Sequence, residues 1–146
     1  MDNELVSNRK AGYNYEILET FEAGLILQGT EIKSLRDHGG NLLEAFIKVE
    51  GSQLFLYGFS IAPYKFGNIY NHEEKRVKKL LMHKREIAEL KKASQEKGFT
   101  LIPLNVYLVK GRAKIKIAIA KGKKAHDKRD AIKERDEKRN IQRLYK

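Results

Sequence analysis

The side chains able to do chemistry fall into two groups, scattered titratable residues and clustered cations. The histidines, His38, His72, His83 and His126, stand far apart, and none belongs to a metal-ligand rhythm such as HExxH. His126 and Asp127 are adjacent, too close in sequence to form a proton relay by themselves. The GxSxG, GxGxxG and P-loop patterns are missing. With no cysteine there is no disulfide, thiolate metal site or sulfur nucleophile. Acidic residues are plentiful but interleaved with Lys and Arg, the pattern of a solvated surface. The residues therefore predict neither an enzyme nor a metal or cofactor site.

The cations are more telling. The chain carries +11 net charge. Residues 121–146 hold eleven Lys or Arg and five Asp or Glu, a balance of +6. Like charge at that density repels itself unless a polyanion neutralises it. A membrane helix would need bulky apolar residues opposite its basic ones, and none occurs between Lys133 and Asn140. Nucleic acid is the expected partner, and no membrane is.

Three segments could meet RNA. In TEIKSLR (30–36), Lys33 and Arg36 suit phosphates, and Glu31 could accept hydrogen bonds from a base edge or a 2′-hydroxyl. The bland alternative is an exposed charged face. In KKLLMHKREI (78–87), a base splayed from its stack could rest on Leu81 or His83 while Lys84 and Arg85 hold phosphates. Against that, Leu80 and Met82 suit a core and His83 the start of a helix. In KGKKAHDKRDAIKERD (121–136), Lys121, Lys123, Lys124, Lys128, Arg129, Lys133 and Arg135 surround any helix that forms, and His126 could stack on a base. The bland reading there is a solubilising tail.

The elements that would position these groups are mostly strands. YNYEILETF (13–21) reads as one, Ala23-Gly24 as a turn, and LILQ (25–28) as a second. Thr30 could cap a helix over EIKSLRDH ended by Gly39, although alternation keeps a strand open there. AFIKVE (45–50) and QLFLYGFSI (53–61) form a hairpin, and residues 64–76 a polar loop. A helix follows over 83–97 with Ile87, Leu90 and Ala93 on one face and Gly98 as its stop. TLIPLNVYLVK (100–110) and RAKIKIAIA (112–120) pair around Gly111. About six strands and one clear helix without a βαβ rhythm predict a mainly β domain, a small closed antiparallel barrel over residues 1–120, with one to three helices. The tail, 121–146, has too few apolar residues to dock on a core. Its i,i+4 ion pairs, Lys133–Glu137 and Glu134–Lys138, predict a segment disordered when free and helical in a negatively charged groove. The N-terminal MDNELVSNRK lacks the apolar run of a signal peptide, and a cytoplasmic protein is expected.

In order and spacing, NRKAGYNYEI (8–17), GLILQGTEIKSLR (24–36), KKLLMHKREI (78–87) and KGKKAHDKRDAIKERD (121–136) resemble the SsrA-binding protein family, small protein B. The resemblance implies an OB-like barrel that binds the tRNA-like domain of transfer-messenger RNA and delivers it to stalled ribosomes for trans-translation. It also implies elongation factor Tu in the delivered complex. It places Glu31, Leu81 and His83 on the RNA-binding face. It sends the tail into the empty messenger channel of the small subunit, where His126, Asp127, Lys128 and Arg129 match the motif near the decoding centre. A ribosome-assembly protein using its tail as permanent RNA glue is the rival from another class, with a nuclease third.

Overall fold

Two long strands, β8 (Phe99–Val109) and β9 (Arg112–Gly122), form the backbone of the molecule in this computed structural model, which describes residues 4–66 and 71–122. They pair antiparallel around Gly111, whose φ of +78° suits the tight turn. Along β9, Ala113, Ile115, Ile117 and Ile119 point into the core, as the alternation of RAKIKIAIA predicts. On its other side β9 pairs with β2 (Tyr15–Leu25), which in turn pairs with β7 (Lys78–Leu81). A hairpin of β4 (Phe46–Glu50) and β5 (Gln53–Tyr57) joins through β5 to β7, and β1 (Glu4–Ser7) joins β8. The result is a seven-stranded antiparallel sheet, β1-β8-β9-β2-β7-β5-β4. Two short strands, β3 (Gly40–Asn41) and β6 (Ser60–Ile61), pair separately.

Three helices complete the described residues: α1 (Ala11–Asn14), α2 (Gly29–Arg36) and α3 (Lys84–Ser94). The fold is mainly β, as expected, but its pairing does not close. β1 and β4 are the sheet edges, and β4 approaches β8 without pairing with it. α3 packs against β4, β8 and β9 and so lies across that seam, with Leu90 fully buried beneath it. Covering an unpaired edge with a helix protects it from another chain much as closure would.

Several sequence expectations change. Ala23-Gly24 is no turn. β2 runs straight through both, because Ala23 is core and Gly24 is held between two partner strands. The helix expected after Thr30 is present as α2, and the alternative strand is not, but it is capped by Gln28 instead of Thr30 and ends at Arg36. The expected 53–61 arm breaks at Gly58, and its end turns away to pair with β3. α3 stops at Ser94, short of Gly98. Strand β9 carries Lys121 and Gly122 beyond residue 120, because β2 begins early enough to pair with them. The tail's expected passage from disorder to helix falls on residues outside those described.

Gly58 is the position where backbone freedom matters most. Its φ is +74°, and a β-carbon there would lie 2.6 Å from the Glu44 carbonyl oxygen. Gly58→Ala is therefore expected to cost about 1–3 kcal/mol. A fall in the urea midpoint at unchanged slope would measure it.

Candidate nucleic-acid interface

Glu31 sits at the third position of α2, and its Oε1 accepts the Gln28 N–H at 2.7 Å, capping the helix. The same carboxylate receives Arg76, through Nη2 to Oε1 at 2.7 Å and Nε to Oε2 at 3.2 Å. Lys78 Nζ lies 3.7 Å from Oε2. Both the Glu31 and Lys78 side chains are 0% exposed. Burial alone would raise the Glu31 pKa, but the Arg76 and Gln28 hydrogen bonds and the two cations hold it below its ordinary value. Burial lowers the Lys78 pKa, against the pull of Glu31. Lys78 also donates to the carbonyls of Arg76 at 2.7 Å and Phe59 at 3.2 Å.

This geometry corrects one expectation. Glu31 does not offer its carboxylate to solvent, since both oxygens are committed behind the surface. Its physical role is to lock α2 to the strands. Arg76 reaches on to the Ile26 carbonyl at 3.3 Å, so one guanidinium joins α2, the end of β2 and the segment leading into β7. His72 adds a second lock. Its Nε2 donates to the carbonyls of Ile61 and Ala62 at 2.9 and 3.0 Å, and its Nδ1 meets the Thr30 hydroxyl at 2.9 Å. Ser34 donates to the Ala62 carbonyl at 2.6 Å. These are structural histidine and hydroxyl groups, and no set of metal ligands occurs among the described residues.

The strands so held present an outward row. Leu81 lies opposite Gly24, Gly24 opposite Lys114, and Lys114 opposite Tyr107. Directly paired residues share a face, so these four cross the sheet side by side. Leu81 is 53% exposed, while its neighbour Leu80 is core. Gly24 matters because it has no side chain: a β-carbon there would stand 3.4 Å from that of Leu81. Lys116 and Lys79 lie on the same face, opposite Glu22 and Phe55. The Tyr107 hydroxyl donates to Glu22, and burial together with that bond pushes the phenol pKa up.

At the end of β7 the chain enters α3 with His83 as its N-cap. His83, Lys84, Arg85 and Glu86 line an open recess there. Lys84 and Arg85 occupy the positive end of the helix, where cations are electrostatically unfavourable by a few tenths of a kcal/mol each. An incoming phosphate would reverse that sign.

The structure thus sets Leu81 at the exposed end of β7 and His83, Lys84 and Arg85 around the recess that follows it. Lys33 and Arg36 are exposed on α2, and the Lys33 ammonium lies 5.7 Å from the Tyr64 ring centre. Lys121 is an exposed strand residue of β9. Lys123, Lys124, His126, Asp127, Lys128, Arg129, Lys133 and Arg135 lie outside the described residues. Sequence reasoning missed Arg76 and Lys78 as partners of Glu31, and Gly24 and Lys114 as neighbours of Leu81. Alternation along β9 marked Lys114 as outward-facing, but only the register sets it beside Leu81.

Comparison with known proteins is consistent along the whole length. The SsrA-binding protein of Protochlamydia amoebophila is 62% identical over 99% of this chain and 94% of its own. That of Chlamydia muridarum is 54% identical over 94% of this chain and 91% of its own. A solved structure described as "tmRNA-SmpB: a journey to the center of the bacterial ribosome" superposes with a TM-score of 0.72 and 42% identity, over 87% of this chain and 93% of that one. The family model described as SmpB protein matches residues 5–146, and the chain belongs to that family.

Proposed function

We propose that this chain is an RNA-binding adaptor of ribosome rescue. It binds the tRNA-like domain of transfer-messenger RNA and carries it to ribosomes stalled without a stop codon. The observation that carries the reading is the row Leu81–Gly24–Lys114, an apolar platform and an ammonium on either side of a position that bears no side chain. A base can rest on Leu81 while Lys114, Lys79, Lys84 and Arg85 take phosphates. His83 stacks or hydrogen-bonds beside it. Lys33 and Arg36 on α2 extend the cationic surface, and Glu31 positions the strands. The names of the relatives support the identity of the RNA.

The sheet with α3 across its seam acts as an OB-like barrel in this reading. The segment after Gly122, with Lys123, Lys124, His126, Asp127, Lys128, Arg129, Lys133 and Arg135, works in the empty messenger channel near the decoding centre, and Lys121 starts that track. Delivery in company with elongation factor Tu, in the cytoplasm and without catalysis by this chain, completes the proposal.

Ending the chain after Gly122 tests the division of labour, because it leaves β9 whole. Affinity for the tRNA-like RNA, measured by fluorescence anisotropy, is expected to stay within about threefold at moderate salt, since distributed phosphate contacts remain. Peptide tagging on stalled ribosomes is expected to disappear. Normal tagging by the shortened chain would overturn the assignment of the tail.

A further inference from the structure

Strand β2 is paired for nearly its whole length on one side but hardly at all on the other. β9 follows it from Tyr15 to Gly24, whereas β7 meets it only at Gly24 and Leu25. The cause lies in β7, which ends at Leu81 where the chain turns toward α3. Upstream of that point, residues 16–21 have no strand beside them on this side among the described residues. In an antiparallel sheet the N–H and C=O groups of a strand point alternately to either side, so this edge offers a row of unpaired ones.

An open edge alone is no docking site, since natural edges are often blunted by charge and by bulges. Glu16 and Glu19 are exposed, and the register with β9 slips at Leu18. Ile17 and Leu18 are what such protection leaves unexplained. They are 37% and 46% exposed and stand side by side along the edge. Every residue from Glu16 to Thr20 is exposed, so the strand projects past the core with both faces in water.

Charge decides what can lie there. Between Lys10 and Lys33 the sequence holds no cation, while Glu16, Glu19 and Glu22 recur at every third position. No ion pair engages Glu16 or Glu19 among the described residues. Lys116 and Lys121 lie opposite Glu22 and Glu16 on the β9 side and leave the far edge acidic. Phosphates are repelled from such an edge, which disfavours RNA. A second copy fits no better. Antiparallel pairing of two β2 edges about Glu19 sets Glu19 against itself and Glu16 against Glu22.

We propose that residues 16–21 of β2 form a protein-docking edge, which takes an extended, lysine- or arginine-rich segment of another protein as an added strand. Main-chain hydrogen bonds set the register, Glu16 and Glu19 pair with the cations, and Ile17 and Leu18 cover the apolar residues between them. The site does not depend on the RNA reading.

The test uses the full chain and a fluorescein-labelled peptide of about eight residues, alternating lysine with valine. A second peptide carries proline in place of valine, keeping the charge but lacking half the N–H donors. The first is expected to bind about tenfold more tightly by anisotropy and to slow amide exchange at residues 16–21. Glu16→Lys/Glu19→Lys should weaken it by about tenfold or more, and Ile17→Thr/Leu18→Thr by about threefold. Both variants should unfold near the parental urea midpoint, because the residues changed are exposed. Equal affinity for the two peptides, parental binding by the charge reversal, or binding that leaves those amides unprotected overturns the proposal. Protection of them by the tRNA-like RNA in place of the peptide does the same. So does protection in the full chain alone that vanishes when the chain ends after Gly122, since the occupant is then its own tail. Protection that rises with protein concentration in the absence of peptide assigns the edge to a second copy and also sinks the idea.

Discussion

Replacing Glu31 by alanine is expected to destabilise the protein by about 3–5 kcal/mol, because it breaks a buried ion pair from one side. The cause is the partner left behind. Lys78 has no exposed surface and would keep a buried ammonium with only two carbonyls and the Phe59 ring to face it. Arg76, whose side chain is 26% exposed, can turn toward water and suffers less. The helix also loses its cap at the Gln28 N–H. Glu31→Met combined with Lys78→Met removes both buried charges and should recover much of the loss, which urea unfolding of the three proteins would measure. A single variant as stable as the parent would show that the carboxylate does not hold the strands. The pH dependence follows from the same site. The folded-state pKa of Glu31 lies below its ordinary value of 4.5, so its contribution is complete above that value. It is lost as pH falls through the lower, folded-state value. The parent should therefore show an acid limb of instability that Glu31→Met/Lys78→Met lacks.

RNA affinity is expected to fall about tenfold with Leu81→Ala and by a similar factor with Lys114→Ala, at unchanged stability. Leu81 is more than half exposed, so truncating it leaves no core cavity. The loss belongs to the bound base. Lys114 should act through phosphate, reducing the salt slope by about 0.7–0.9, whereas Leu81→Ala should leave that slope alone. Gly24 stands between them, so their chains are two strand spacings apart, roughly 10 Å. At that distance the effects should add, giving about a hundredfold in the double variant. A slope change for leucine, or none for lysine, would contradict the roles assigned along the row.

The two predictions differ in how much of their basis is legible in the residues. Leu81 and His83 stand out in KKLLMHKREI because a basic run interrupted by exposed-type apolar residues has few other uses. Lys114 shows only as one cation in an alternating strand. Glu31 was legible as unusual, an acid in a basic segment, but its direction was misjudged. Its counter-ions lie 45 and 47 positions away, and sequence spacing carries no information about a contact across that distance.

Read alone, the order of residues determined the charge and its concentration toward one end, the hairpins around Gly51 and Gly111, the inward face of α3 and the outward lysines of β9. Each depends on interactions among near neighbours: period-two or period-3.6 patterning, turn residues and local repulsion. Tertiary structure alone decided that β2 passes through Ala23-Gly24, that Leu81 and Lys114 share a row, that α3 rather than strand pairing covers the seam, and that Glu31 faces inward. Those outcomes depend on which distant strands pair and in which register, a choice made by the burial of the whole core at once.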